Sequence, residues 1–172
     1  DMYLNDDGTF NDKKLSTFGY LSSGVPGTVA GMWEVHKKFG SLPWSELLKD
    51  AIYYAENGFN ITPYMEDVLK NYNQKLSYYP ETKSIFQKDF PSFTNKKLFQ
   101  KDLANTLKII AKNGKKGFYE GEIAEKMVND IQENGGYITK EDLKNYTVRK
   151  SEVLTGKFNG YDIHTLNLPS YG

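Results

Sequence analysis

Apolar positions along the chain fall into blocks separated by glycine and proline, and most blocks carry the three- and four-residue spacing of an amphipathic helix. A first helix is expected from about Thr28 to Phe39, stopped at Gly40. Leu47, Leu48, Ala51, Ile52 and Ala55 share one face of a second. It opens near Pro43, since proline is tolerated in a first turn, and closes at Gly58 in a left-handed cap. Thr62-Pro63 opens a third, running to about Tyr78 and stopped by Pro80. Residues 80–100 lack a clear period and read as loop with a short helical turn.

Leu103, Leu107, Ile110 and Ala111 mark a fourth helix ended by Gly114, and Ile123, Met127, Val128 and Ile131 a fifth ended by Gly135-Gly136. Thr139-Lys-Glu-Asp142 has the form of a capping box, in which a hydroxyl and a carboxylate satisfy orphan amides of a first turn. A short helix should follow, to about Tyr146. From Thr147 the period changes to two: Val148, Lys150 and Glu152, then Gly156 to Gly160, then Tyr161, Ile163 and Thr165 predict two strands about a turn. Residues 1–18 are polar and turn-rich, with Asn5-Asp6-Asp7-Gly8 the clearest turn. Residues 19–31 are glycine-rich and nearly uncharged, and predict a short strand or extended segment leading into the first helix. The fold expected for this chain is therefore mainly α with a small C-terminal β-hairpin: loop over 1–18, mainly helical over 19–146, strands and loop over 147–172. Short connections make antiparallel helix neighbours the expected packing.

Composition narrows the functional classes. The 172 residues are 38% hydrophobic and 26% charged, as in an ordinary globular chain. Twenty-two basic residues balance 22 acidic ones, so the basic footprint of a nucleic-acid binder is missing and no nucleic-acid partner is expected. Arg149 is the sole arginine, which leaves little capacity for bidentate capture of carboxylate or phosphate. There is no cysteine, which removes disulfides, thiolate nucleophiles and Cys-based metal sites. No apolar run approaches the roughly 20 residues of a membrane span.

Candidate chemistry is sparse. His36 and His164 are the two histidines, far apart in sequence, and His36 beside Lys37 and Lys38 reads as exposed; no metal site is expected. The acidic turn fails as a calcium loop: counting back from Gly8 gives Tyr3, Asn5 and Asp7, and the distant glutamate position falls on Lys14. Gly24, Gly27 and Gly31 stand at a helix start, where amides can hold an anion, but neither the P-loop nor the dinucleotide pattern is present. Close packing or an unusual backbone angle is the better reading of these glycines. Glu120 and Glu122 are a carboxylate pair of the kind glycoside hydrolysis uses, and equally a charged helix start. With two histidines there is little material for a Ser-His-Asp triad.

Three phrases carry a resemblance. Ser23-Gly-Val-Pro-Gly-Thr-Val-Ala-Gly31, followed by Phe39-Gly-Ser-Leu-Pro-Trp44 and Ala51-Ile to Phe59, is the first. Gly117-Phe-Tyr-Glu-Gly-Glu-Ile-Ala124 running into Asn134 to Leu143 and Tyr146 is the second. Tyr161-Asp-Ile, then Leu168-Pro-Ser-Tyr-Gly172, is the third. In order and spacing they resemble the γ-glutamyltranspeptidases along nearly the whole chain. The third departs from the family pattern: Leu168 replaces a proline and Tyr171 a serine, which leaves the subfamily open.

The resemblance implies an N-terminal-nucleophile hydrolase, in which this chain is a helical lobe of an αββα fold. It implies a precursor that cleaves itself to expose a threonine, whose hydroxyl attacks a γ-glutamyl amide while its own α-amine serves as base. An α-amine titrates near pH 8, so a useful fraction is free base at neutrality. Glutathione or another γ-glutamyl compound is the implied substrate, the small subunit of the same precursor the implied partner, and no cofactor is needed. Poly-γ-glutamate enzymes and cephalosporin acylases are relatives of the same family, and a helical interaction domain without enzymatic ancestry is the alternative from another class.

Carried over residue by residue, the resemblance leaves the site nearly empty. The chain opens with Asp1, has no initiator Met and closes on a loop motif, so it reads as an internal segment of the large subunit. The nucleophilic threonine is expected after Gly172 and the carboxylate-binding arginine before Asp1; Arg149 matches neither its context nor its place. No catalytic residue is assigned. Pro169, Ser170 and Gly172 are the candidates for a loop beside the substrate pocket, and ordinary turn chemistry accounts for them too. The chain alone is expected to be inactive, and apolar faces left bare invite a dimer. A periplasmic, secreted or cell-surface location follows from the resemblance alone.

Overall fold

The computed structural model describes residues 2–10 and 15–167. Among them a single 3-10 turn, Tyr20–Ser22, leads into α1, Thr28–Phe39, and α2, Trp44–Asn57. After β1, Phe59–Asn60, come α3, Pro63–Asn71, α4, Asn73–Leu76, and α5, Pro80–Phe86. The order continues with β2, Lys97–Leu98, α6, Lys101–Asn113, α7, Lys116–Tyr119, α8, Gly121–Glu133, and α9, Lys140–Lys144. A hairpin of β3, Leu154–Phe158, and β4, Tyr161–Thr165, follows. The chain is thus mainly α with a small hairpin near its C-terminal end, as the spacing predicts.

Four local expectations change. The segment before α1 forms a 3-10 turn rather than a strand, because Gly19 at φ 96° and ψ −173° bends the backbone out of an extended path. The helix expected from Pro63 to Tyr78 divides at Tyr72, whose ψ is 11°. Asn71-Tyr72-Asn73 has poor helix propensity, and asparagine favours caps over interiors. Pro80 opens α5 instead of ending a helix, since its fixed φ suits a first turn. The region read as loop therefore holds a helix and the strand β2. Finally, the hairpin is shifted: β3 starts at Leu154 and takes in Gly156-Lys157-Phe158, and the turn shrinks to Asn159-Gly160. Those two residues have φ 50° and 83°, the left-handed pair that a two-residue hairpin turn needs and that Asn-Gly supplies.

Two packing centres organise the helices. In the first, α2 and α6 run antiparallel, with the Trp44 indole donating to the Ile110 carbonyl at 3.0 Å and the Gln100 amide donating to Ala55 at 2.9 Å. Lys108 pairs with Glu56 across them at 2.5 Å. The second is an apolar cluster of Ala30, Tyr119, Ala124, Val128, Ile131, Ile138 and Leu143, drawn from α1, α7, α8 and α9 and the turn before α9. The capping box forms as the sequence implies: Thr139 accepts from the Asp142 amide at 3.1 Å, and Asp142 accepts from the Thr139 amide at 2.8 Å.

The start of α1 is held by one side chain. The buried Tyr119 hydroxyl donates to the Pro26 carbonyl at 2.5 Å and accepts from the Ala30 amide at 3.2 Å. Tyr146 stacks on Tyr119 with centroids 5.7 Å apart and planes 2° off parallel. Lys115 caps the pair, donating to the Tyr146 carbonyl at 2.6 Å. Gly27 lies directly beneath, and a Cβ there would overlap the Tyr146 hydroxyl. Close packing is therefore the reason for this glycine. The Ala30 amide that an anion would need is already taken.

Tyr119→Phe removes a donor and an acceptor at once and leaves a buried amide and a part-buried carbonyl without this partner. It is expected to lower stability by about 1–3 kcal/mol in urea denaturation. The capping box makes a pH prediction. Hydrogen bonds from the Thr139 hydroxyl and amide hold the Asp142 carboxyl below its ordinary value of 3.8. Its contribution is thus complete above that ordinary value and is lost as pH falls through the lower folded-state value. Asp142→Asn should flatten this part of the acid limb of a stability–pH curve.

Candidate functional site

Pro169, Ser170 and Gly172 lie outside the described residues. The remaining singled-out groups do not converge. Glu120 and Glu122 are both exposed at the start of α8, and Glu122 is taken up by Lys126 at 2.7 Å, which with that pairing holds its carboxyl below the usual range. Arg149 is exposed, and so is His164 on the hairpin opposite Thr155. Ser22 and Ser23 donate to the Gly19 carbonyl at 2.7 and 3.4 Å, so their hydroxyls face backbone and not a base. Among the described residues no group of three or more His, Asp or Glu side chains could hold a metal ion, and no helix is long and apolar enough to cross a membrane. The acidic N-terminal turn closes on itself, with Asp7 accepting from the Thr9 amide at 2.9 Å and hydroxyl at 2.6 Å.

His36 corrects its expected exposure. It is half-buried, with Nε2 donating to the Leu42 carbonyl at 2.9 Å and the ring set against Trp44 at 5.2 Å and Trp33 at 6.2 Å. Its Nδ1 is buried without a hydrogen-bond partner. The reason is geometric: the turn at Gly40 folds the chain back over the ring, so the lysines beside His36 face solvent while it does not. Gly114, at φ 60°, lets the edge of Trp33 approach within what would be Cβ contact.

Two concavities stand out. A polar cleft of about 580 Å³ is lined by Phe18, Tyr20, Tyr79, Glu81 and Asp130 among others. There the Tyr20 hydroxyl donates to Asp130 at 3.5 Å, and burial followed by the Asp130 charge raises the phenol above its ordinary value. The second is an apolar groove of about 760 Å³ between α1 and α2, lined by Met32, Val35, Phe39, Trp44, Leu47 and neighbouring residues. The spacing does not single it out, because α1 carries apolar residues at helical spacing on two faces and, among the described residues, only one of them is packed.

The amount of bare surface agrees with that. The chain exposes 13065 Å², whereas a folded monomer of 19.7 kDa exposes about 8,600 Å² by the scaling of surface with mass. What the arrangement offers is an assembled scaffold with uncovered apolar faces.

The sequence profile of the gamma-glutamyltranspeptidase family matches residues 1–172. A glutathione hydrolase proenzyme of Pseudomonas aeruginosa is 39% identical over 178 residues, covering 99% of this chain and 30% of the relative. The capsule biosynthesis protein CapD proenzyme of Bacillus anthracis is 41% identical over 155 residues, covering 87% of this chain and 27% of the relative. The crystal structure of Helicobacter pylori γ-glutamyltranspeptidase superposes with a TM-score of 0.90 at 41% identity, over 98% of this chain and 49% of that one. This chain therefore spans about 30% of the length of the curated relatives it matches. The pinned Pro-Gly-Thr-Val-Ala-Gly turn, the capping box and the closing hairpin are one scaffold matched from end to end, and by that match the chain belongs to the γ-glutamyltranspeptidase family.

Proposed function

We propose that this chain is a section of the large subunit of a self-processing γ-glutamyltranspeptidase, and that its own part is structural. The observation that carries the reading is the continuous match over residues 1–172, together with a fold shared at a TM-score of 0.90 by a solved member. In the processed enzyme, the hydroxyl of an N-terminal threonine outside this chain attacks the γ-glutamyl carbonyl, and the threonine α-amine takes the hydroxyl proton. Oxyanion donors hold the charge of the tetrahedral intermediate. The C–N bond breaks, the amine leaves with that proton, and the γ-glutamyl group remains as an ester on the threonine. Water then releases glutamate, or an amino acid or dipeptide takes the acyl group.

On this reading no cofactor takes part. Glutathione and related γ-glutamyl compounds are the substrates, and the small subunit of the same precursor is the partner. On the same reading the enzyme works in the periplasm, at the cell surface or outside the cell. On this reading Pro169, Ser170 and Gly172 remain the candidates for a loop beside the pocket, and ordinary turn chemistry accounts for them too. A second reading is favoured by the 41% identity to a capsule biosynthesis protein, which makes a poly-γ-glutamate chain an alternative donor. Membership of an enzyme family sets aside a helical domain without enzymatic ancestry.

A chromogenic γ-glutamyl anilide separates these outcomes. The self-processed precursor is expected to release the free aniline, and the 172-residue chain alone to release none. Turnover by the chain alone at the precursor's rate, or none by the processed precursor, overturns the reading. Competition by glutathione but not by poly-γ-glutamate selects the first donor over the second.

A further inference from the structure

Helix α1 carries a stripe that nothing among the described residues covers. Thr28, Gly31, Met32, Val35 and Phe39 follow one another at helical spacing along one face, and all of them line the apolar groove. Met32 is 61% exposed, Val35 60% and Phe39 71%. The opposite side is the one that packs, through the fully buried Ala30 and through Trp33. In the middle of the bare stripe stands Gly31. A glycine inside a helix costs about 1 kcal/mol relative to alanine. Gly27 and Gly114 have visible reasons, an overlapping tyrosine and an overlapping tryptophan. Gly31 has none: a Cβ there would meet nothing within 4 Å outside its own helix. A helix that bears this cost among exposed apolar side chains has the form of a surface that another backbone approaches closely.

We infer that the Gly31 face of α1 is an intramolecular docking seat, occupied by an apolar segment of the same precursor that lies outside residues 1–172. This rests on the proposed function to the extent that it takes the chain as part of a longer precursor. Length argues for that occupant over a second copy. The same fold, matched over 98% of this chain, makes up only 49% of the solved Helicobacter pylori chain, so as much polypeptide again belongs beside it. Surface argues the same way. The excess over a folded monomer is on the order of 4,500 Å² on this one chain, whereas obligate interfaces of about 2,000–5,000 Å² in total take roughly half of that from each partner.

The test uses the full-length precursor. Peroxide oxidation followed by peptide mass analysis should find Met32 protected at least about tenfold relative to the same residue in urea-unfolded precursor, at every protein concentration. Gly31→Ala should lower the precursor's Tm, and Gly31→Leu should lower it further, by about 5 °C or more. An uncovered helix face gives the opposite sign, since alanine then stabilises and leucine is tolerated. Met32 oxidised as fast in the folded precursor as in the unfolded one overturns the proposal, as does a raised Tm for Gly31→Ala. Protection that disappears on dilution, with a dimer in light scattering, assigns the face to a second copy and overturns it too. Because these readouts are independent of catalysis, an inactive precursor with a protected Met32 would count against the activity reading alone.

Discussion

The fold turns on one hydroxyl. Tyr119 reaches back some ninety residues to hold the Pro26 carbonyl and the Ala30 amide together. Pro26 has no amide to give and Gly27 no side chain, so the entry to α1 has few local means of fixing itself. The tyrosine supplies both a donor and an acceptor where the chain changes direction. A neutral phenol can play both parts, and burial raises this one further above its ordinary value. Tyr146 and Lys115 close over it, and Gly27 is small because they do.

Fixing that entry sets the direction of α1, and the direction of α1 sets everything uncovered. One side of the helix meets the cluster under α8 and α9. Further along, Trp33 meets Trp44 edge to face with ring centroids 5.2 Å apart, and Trp44 in turn is tied to α6 through Ile110. The two packing centres are therefore joined through α1 while its outer stripe remains bare. A chain that spent so many apolar residues on its surface as an independent domain would be a liability to itself. As a section of a larger assembly it is ordinary, and family membership with partial coverage of the relatives agrees with that.

The hairpin makes the same point on a smaller scale. Directly paired residues share a face, so Leu154, Phe158, Tyr161 and Ile163 line one side and Thr155, Lys157, Asp162 and His164 the other. The first side is apolar and exposed, and the second carries the Lys157–Asp162 pair at 3.5 Å. A lone two-stranded ribbon is marginal in water. Its pattern is that of a sheet component with one face meant for a core.

By itself the sequence determined the helical class, the capping box, the glycine stops and the family, because these rest on local spacing or on phrases read in order. Asn159-Gly160 was legible as well, and would have placed the hairpin turn correctly had it outweighed the wider glycine-bounded segment. Tertiary structure alone decided that His36 is covered, that Gly27 makes room for Tyr146, and that Gly31 makes room for nothing in this chain. The first depends on how the chain turns back at Gly40, and the other two on a partner tens of residues away or on the lack of one among the described residues; neither period nor propensity carries that information. The candidate site stayed nearly empty for a related reason: the singled-out carboxylates, serines and histidines are each held by local or exposed contacts, and the described fold does not bring them together.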